Sequence, residues 1–235
     1  MINELKKYST SSKYSYTLGM SLTIEALKGI GDKVVKIYLS KKVHHNEHLD
    51  LLIKLANDYG VEIIEDDKLI SSLSIKENCY CIGVFEKFKK ELVSREHIVL
   101  MNYQDEGILG TTLRSAISFD SHDIILINND VDIFSPRTVR ASMGAIFHCN
   151  IANYSSIDEY LKNYDGKNLY VLKDHEGEKL KEVSFKSPYS IFISCKDLDI
   201  KNAHSIYINH RQDENLSWEI KSTILLHQLF VSKRS

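Results

Sequence analysis

The sequence predicts an α/β protein of two modules: a small α/β module over residues 1–90 and a larger parallel-sheet domain over residues 95–235. Three observations predict it. Short apolar runs of strand length alternate with amphipathic helical patterns. The runs of the second half are apolar at nearly every position, the pattern of strands covered on both faces in a parallel sheet. Between the two series lies "EKFKKELVSREH", charged and mostly polar, which reads as a linker that is helical in part.

In the first module, "GMSLTIEALKGI" carries Leu22, Ile24, Ala26, Leu27 and Ile30 on one buried helical face. "KVVKIYLS" is β-branched and short, a strand. "EHLDLLIKLANDYG" is an amphipathic helix with Leu49, Leu52, Ile53 and Ala56 inward and Gly60 as its stop. "VEIIED" is a strand, "DDKLISSLS" a short helix, and "CYCIGVFEKF" the last strand of the module. The second series begins at His97. Its strands are "HIVLMN", "DIILIN", "AIFHCN", "NLYVLKD", "YSIFIS" and "SIYIN". "LGTTLRSAISF", "PRTVRASMG" and "SIDEYLKNY" are the helices between them, and Pro136 suits the first turn of its helix. The chain closes with "LSWEIKSTILLHQLFVSKR", a long helix with Leu216, Ile220, Ile224, Leu225 and Leu229 along one face.

The chain has 235 residues, 43% hydrophobic and 26% charged, an ordinary globular composition for one large or two modest domains. Its 30 basic and 32 acidic residues leave a net charge of −2, which argues against bulk charge as the means of holding nucleic acid. Local patches remain open to that role: Lys6, Lys7, Lys13, Lys33, Lys36, Lys41 and Lys42 are the candidates in the first module. No window approaches the roughly 18 consecutive apolar residues of a membrane span. The N-terminal stretch lacks the apolar core of a signal peptide, so a cytoplasmic protein is expected.

Cys79, Cys81, Cys149 and Cys195 read as reduced and structural; alternating residues of a strand point to opposite faces, which separates the "CYC" pair. His44, His45 and His48 cluster without a cysteine or a Glu-x-x-His pattern, and read as solvated surface. No metal is expected.

The stretch "VDIFSPRTVRASMGAIFH" sets two arginines, Arg137 and Arg140, before a run of small residues, Ala141 to Ala145. Small residues allow close approach of backbone to another chain segment or to a ligand. Upstream, "DEGILGTTLRSA" has a similar look of motif, with Arg114 near its end. Together with the strand–strand–helix spacing from "YSIFIS" through "SIYIN" to "LSWEIKSTILLHQL", these stretches resemble the SpoU/TrmH family of SPOUT RNA methyltransferases. "DEGILGTTLRSA" resembles the family's Asp-Pro-Gly-Asn-Leu-Gly-Thr-Ile-x-Arg-Thr-Ala, and "VDIFSPRTVRASMGAIFH" is a close match to its second motif. The resemblance implies a C-terminal parallel-sheet SPOUT domain with a deep trefoil knot, preceded by a ribosomal-protein-like (L30e-like) RNA-binding module. It further implies S-adenosylmethionine as cofactor, structured rRNA or tRNA as partner, transfer of a methyl group to a ribose 2′-hydroxyl, and a homodimer built with the last helix.

By the same resemblance Arg114 stands at the family's essential arginine and Arg140 at the arginine of the second motif, with the segment from Arg140 to Gly144 near the cofactor pocket. Ser142, Gly144, Ser194, Lys196, Asp197, Ile208, Leu216, Ser217 and Glu219 fall on cofactor-binding positions. Several of these depart from the pattern. The third motif, Gly-Asn-Glu-Gly-x-Gly, is replaced by "SCKDLD": Ser194, Asp197 and Asp199 stand for glycines and Lys196 for the glutamate. Asn209 replaces a proline, Ser217 an asparagine, Glu219 a serine and Ile108 an asparagine. Loss of glycine removes the positive-φ backbone through which amides approach a ligand. Three readings therefore stand: an RNA-binding relative with impaired or lost cofactor binding, an active methyltransferase using Arg114, and a partner-binding assembly module using Trp218, Leu225, Leu229 and Phe230.

Overall fold

The computed structural model describes residues 7–74, 78–164, 167–211 and 216–234. It divides into two compact units, one comprising the chain up to Phe88 together with Asp132–His148, the other Lys89–Val131 with Cys149–Ser235. The segment bearing "SPRTVRASMGAIFH" thus clusters with the N-terminal unit, although chain order places it amid the second series.

The first unit holds a four-stranded sheet in the order β1 (Tyr14–Tyr16), β4 (Cys81–Glu86), β2 (Val34–Leu39), β3 (Ile63–Glu65). β4 runs antiparallel to both β1 and β2, and β2 pairs parallel with β3. Three helices accompany the sheet: α1 (Met20–Ile30), α2 (Glu47–Asp58) and α3 (Asp67–Leu73). The side chains of Asn46 and Asp66 cap α2 and α3 by accepting from the amides of Leu49 and Leu69. α1 buries Leu22, Ile24, Ala26, Leu27 and Ile30 as expected. In α2 only Leu52 and Ala56 are buried while Ile53 is exposed, so its inner stripe is narrower than the periodicity predicts.

The returning segment of this unit carries α5 (Pro136–Ala141), opened by Pro136 and capped by Ser135, whose oxygen accepts from the Thr138 amide. Beyond it Met143 and Gly144 adopt φ values of 50° and 84°, and the chain folds into a 3₁₀ turn over Ala145–His148. "AIFHCN" is therefore not a strand from its start; the left-handed turn diverts the chain, and the strand begins at Asn150. The small residues serve packing here. A Cβ on Gly144 lies 2.8 Å from the Glu25 Cβ on α1, and one on Gly29 lies 2.5 Å from the Phe147 carbonyl oxygen. Phe147 meets Phe85 edge-on at 5.1 Å, and His148 Nε2 stands 3.0 Å from Glu25 Oε2. Burial opposes ionisation of Glu25, but hydrogen bonds from Lys28 and His148 outweigh it and hold the carboxyl below its usual range.

The second unit is a seven-stranded sheet in the order β7 (Asn150–Tyr154), β6 (Asp123–Ile127), β5 (His97–Met101), β10 (Tyr189–Ser194), β8 (Asn168–Lys173), β11 (His204–Tyr207), β9 (Glu178–Lys179). Every pairing is parallel. All residues of β5, β6 and β10 are buried, which explains their apolar runs. Helices α4 (Glu106–Ser118), α6 (Ile157–Asn163) and α7 (Trp218–Ser232) belong to this unit. Residues 87–96 form no helix. Their amides serve the buried Asp123 instead, whose carboxylate accepts from Val93 and Ser94 and from Asn150 Nδ2 at 2.7 Å.

α7 corrects the predicted face. Ile220 and Ile224 are 46% and 38% exposed, while Lys221, Ser222, Leu225, Leu226 and Leu229 are buried. The helix packs on α4, and Ser115 to Thr223 at 2.7 Å fixes its rotation. Leu225 and Leu229 consequently fill this unit's own core and do not offer docking surface; the exposed apolar side chains of α7 are Ile220, Ile224 and Val231. The short β1 and β9 had no sequence signal. Among the described residues no helix is long and apolar enough to cross a membrane, and no three His, Cys, Asp or Glu side chains are grouped to hold a metal. Cys81 and Cys149 are buried with thiols pushed up to about 12 by burial, so both stay protonated and unreactive.

One polar chain is enclosed at the first residue of β5. His97 Nε2 faces the Ser94 carbonyl at 3.1 Å and carries the proton, leaving Nδ1 as an acceptor for Lys167 Nζ at 2.8 Å. Tyr160 OH lies 2.8 Å from that Nδ1 and 2.6 Å from Ser190 Oγ. Burial, aided by the Lys167 charge, lowers the imidazole to about 4. The unfolded chain takes up this proton near the ordinary value of about 6.5, which the folded chain refuses until about 4. Stability present above that window is therefore lost as pH falls through it. We expect the urea midpoint to fall between pH 6.5 and 4, and His97→Gln to flatten that slope by up to about 1.4 kcal/mol per pH unit; an unchanged slope refutes the assignment.

Candidate functional site

In a parallel sheet the polar groups left after each strand gather at the carboxyl ends, where ligands bind in open α/β folds. In the second unit this edge is assembled from the ends of β5, β10 and β8 and from the start of α7. Asn102, next after β5, sits at φ 58° and donates from Nδ2 to Ser194 Oγ at 3.0 Å. Asn129, just beyond β6, receives the Tyr103 amide at 2.8 Å and donates to the Leu100 carbonyl at 3.1 Å. The Cys195 amide donates to the Met101 carbonyl at 3.2 Å, and the Lys196 amide to Ser194 Oγ at 3.1 Å. The turn after β10 is thus held by backbone and hydroxyl bonds, without a glycine.

Tyr103 is fully buried here. Its hydroxyl stands 3.4 Å from Ser222 Oγ, with Thr112, Cys195 and Glu219 as further neighbours. Burial pushes this phenol well above its ordinary value, so it remains a protonated donor. Two oxygens around it, Thr112 Oγ1 and Glu219 Oε2, are the buried side-chain polar atoms that lack a hydrogen-bond partner among the described residues. A buried acceptor without a donor costs roughly 1–3 kcal/mol, so Glu219 Oε2 marks unmet capacity for a donor. Cys195 beside them is raised to about 11 by burial and the Glu219 charge, which favours the protonated thiol near neutral pH.

Charge is arranged along the same edge. Lys173, the last residue of β8, is only 7% exposed and reaches Asp197 at 3.1 Å and Asp199 at 2.5 Å. Hydrogen bonding to Asp199, with Asp197 adding to it, raises its ammonium; bonding to Lys173 lowers the Asp197 carboxyl. Lys221, 6% exposed on α7, pairs with Asp174 and lies 4.5 Å above the Trp218 ring. Lys173 therefore offsets one of the two negative charges that Asp197 and Asp199 bring to the edge.

The residues singled out in the sequence fall in both units. Ser194, Lys196, Asp197, Ile208, Leu216, Ser217 and Glu219 belong to the second, as does Arg114, exposed on α4 with no side-chain partner among the described residues. Ser194 is buried in the network just described, Ile208 is buried, and Lys196 and Ser217 are exposed. Ser217 stands at the start of α7 without a side-chain cap bond. Asp105 caps α4 by accepting from the amides of Gly107 and Ile108 at 2.7 and 3.0 Å, which orients the helix that carries Arg114. Arg140, Ser142 and Gly144 belong to the first unit. Arg140 is exposed without a partner among the described residues, and Ser142 is buried with its hydroxyl donating to the Val139 carbonyl at 2.9 Å. The loop "YINHRQDEN" ends on residues 212–215, outside the described residues.

Sequence reasoning missed Lys173, Lys221, Thr112 and Tyr103. Asn102 and Asn128 offered a signal: each follows an apolar strand, and each takes a positive φ that asparagine tolerates best after glycine.

Removing the two arms of the ion pair should have unequal effects. Lys173→Met leaves two solvated carboxylates, whereas the double change Asp197→Asn with Asp199→Asn strands a buried ammonium. We expect the double variant to melt several degrees below the wild type and below Lys173→Met; calorimetric melting checks the order, and the reverse order refutes the pairing.

The SpoU rRNA Methylase family matches residues 95–193. A relative from Archaeoglobus fulgidus, described as an uncharacterized tRNA/rRNA methyltransferase, is 30% identical over 169 residues, covering 70% of this chain and 73% of that protein. The 23S rRNA (guanosine(2553)-2'-O)-methyltransferase RlmP of Bacillus subtilis is 22% identical over 234 residues, covering 95% and 91%. Among solved structures, the rRNA methyltransferase from Sinorhizobium meliloti superposes with a TM-score of 0.75 at 20% identity, covering 94% and 87% of the two chains. AviRb from Streptomyces viridochromogenes in complex with AdoMet gives 0.76 at 15% identity, covering 94% and 91%.

Proposed function

The chain belongs to the SpoU rRNA methylase family, and on that premise we propose that it transfers a methyl group from S-adenosylmethionine to a ribose 2′-hydroxyl of rRNA or tRNA. The observation that carries this reading is Arg114: at the position of the family's essential arginine, its guanidinium is exposed and uncommitted among the described residues.

The residues of the carboxyl edge fit the cofactor chemically. S-adenosylmethionine supplies a methyl group on a cationic sulfur and brings amine and hydroxyl donors. Glu219 Oε2 is an acceptor in need of a donor, and its carboxylate suits a positively charged ligand. Lys173 offsets one of the two charges of Asp197 and Asp199, which lessens the repulsion they would exert on RNA phosphate.

A ribose hydroxyl is a weak nucleophile and must be held in line while negative charge grows on its oxygen. A guanidinium can grip the neighbouring phosphate with two parallel hydrogen bonds and stabilise that charge. Arg114 takes this role, and Arg140 contributes a further phosphate contact. The same reading includes a homodimer, for which the exposed Ile220, Ile224 and Val231 of α7 offer apolar surface. It also includes the knotted crossing, supported by the place of β10 between the earlier strands β5 and β8.

A second reading, an RNA-binding relative that has lost the cofactor, is favoured by one observation: the segment following β10 is tied to Lys173 by ion pairs in place of a glycine loop. Titration calorimetry with S-adenosylmethionine and S-adenosylhomocysteine separates the two. Binding in the micromolar range supports the enzyme, and Arg114→Ala should then retain that affinity while losing at least about 100-fold in methyl transfer to RNA. Absence of heat from folded protein sinks the enzyme reading and leaves the second.

A further inference from the structure

At the amino edge of the parallel sheet, opposite the carboxyl edge, lies a cavity of about 450 Å³. The first residues of β8, β9 and β11, which are Asn168, Glu178 and His204, line it together with Lys167 and Lys186. Asn168 Nδ2 donates to the Lys186 carbonyl at 2.8 Å, and the Lys186 amide donates to the Tyr170 hydroxyl at 3.0 Å. The walls are tied before any ligand arrives, which spares a ligand the cost of ordering them. A volume in this range takes a small molecule. Within the lining, His204 Nε2 stands 2.6 Å from Glu178 Oε2, while Lys186 is exposed and holds no carboxylate among the described residues.

Lys167 stands between this cavity and the enclosed chain of His97 and Tyr160. It is half-buried, with Nζ 2.8 Å from His97 Nδ1 and 4.6 Å from the centre of the Tyr164 ring. No carboxylate pairs with it among the described residues, so nothing locks it as an ammonium. Burial, with the Arg95 charge adding to it and the Asp123 charge opposing, lowers the amine to about 8. About a quarter of it is then neutral near pH 7.5, against roughly a thousandth of an ordinary lysine. The contact with Nδ1 uses an N–H, which leaves the lone pair of the neutral amine available. A desolvated amine of this kind, set in the wall of a cavity, is a nucleophile toward activated carbonyl groups. Lys186 adds to the same cavity a cation suited to a phosphate.

We propose that Lys167 is an acylation site, at which an acyl phosphate enters the cavity, sets its phosphate against Lys186 and transfers its acyl group to Nζ. The Nζ lone pair forms a bond to the carbonyl carbon, the carbon–oxygen bond to phosphate breaks, and inorganic phosphate leaves with that electron pair. The proton of the amine passes to water, and Lys167 ends as a neutral amide beside His97. The site is separate from methyl transfer and does not rest on it. Its test is incubation of the full chain with acetyl phosphate to low conversion, with peptide mass spectrometry reading the initial rate at each lysine. Near pH 7.5 Lys167 should acetylate at least about tenfold faster than the exposed Lys162 and Lys201, the gain in neutral amine less the loss in basicity. Its rate should level off above about pH 8, whereas an ordinary lysine gains rate up to about pH 10.4. In denaturant the advantage should vanish. Lys186→Ala should slow acetyl phosphate at Lys167 and leave labelling by acetic anhydride, which carries no phosphate, unaffected. A Lys167 rate no higher than that of the exposed lysines, or one still climbing at about pH 10, overturns the site. An unchanged acetyl phosphate rate in Lys186→Ala overturns the phosphate contact.

Discussion

Strand β10 is the element on which the second unit depends. It is buried along its whole length and hydrogen-bonded on both edges, to β5 through Ser190–Ser194 and to β8 through Tyr189–Phe192. A strand in that place has no solvent to satisfy its polar atoms, so both of its serines must find partners inside. Ser190 closes the chain of Tyr160, His97 and Lys167 at one end, and Ser194 joins Asn102 and the Lys196 amide at the other. The first network stabilises the sheet from its amino edge. The second shapes the carboxyl edge, where the ligand-directed groups stand. One inserted strand thus links the fold's stability to the geometry of its site.

The alternation of helix and strand and the parallel character of the second sheet were legible, because each follows from periodicity and from two-sided burial. What escaped are features that only tertiary contact decides. α7 is apolar around much of its circumference, so Ile220 and Ile224 compete with Leu225, Leu226 and Leu229 for the inward face, and the bond from Ser115 to Thr223 settles the rotation. Lys173 and Lys221 read as surface by residue type, yet both are buried beside carboxylates from distant parts of the chain. The strand predicted over "AIFHCN" failed at a left-handed turn: a lone Gly144 signals freedom of backbone but not whether that freedom is spent on a ligand or on α1.

That last ambiguity bears on how motifs are read. Gly144 and Ser142 match a family pattern, and the structure shows a packing reason for each: an added Cβ on Gly144 meets Glu25, and the Ser142 hydroxyl bonds the end of its own helix. A motif can therefore persist for structural reasons in a protein whose ligand-directed loops have changed. The second stretch alone therefore says little about the cofactor, and the carboxyl edge is where the ligand-directed groups stand.

At that edge the substitutions form a set. Replacing glycines by Asp197 and Asp199 costs the loop its positive-φ freedom and adds two negative charges, but Lys173 lies between those charges and cancels one of them. Replacing a small residue by Glu219 adds a carboxylate at the first turn of α7, where the helix dipole favours it, and one of its oxygens is left without a donor. Unrelated substitutions have no reason to compensate one another across β8, β10 and α7. The arrangement describes a loop ordered by ion pairs, with an unpartnered carboxylate oxygen of Glu219 beside Tyr103. Loss of glycine therefore does not equal loss of a site: the order that glycine permits through close approach can be imposed by charge, and the acceptor left over states what kind of group the site still wants.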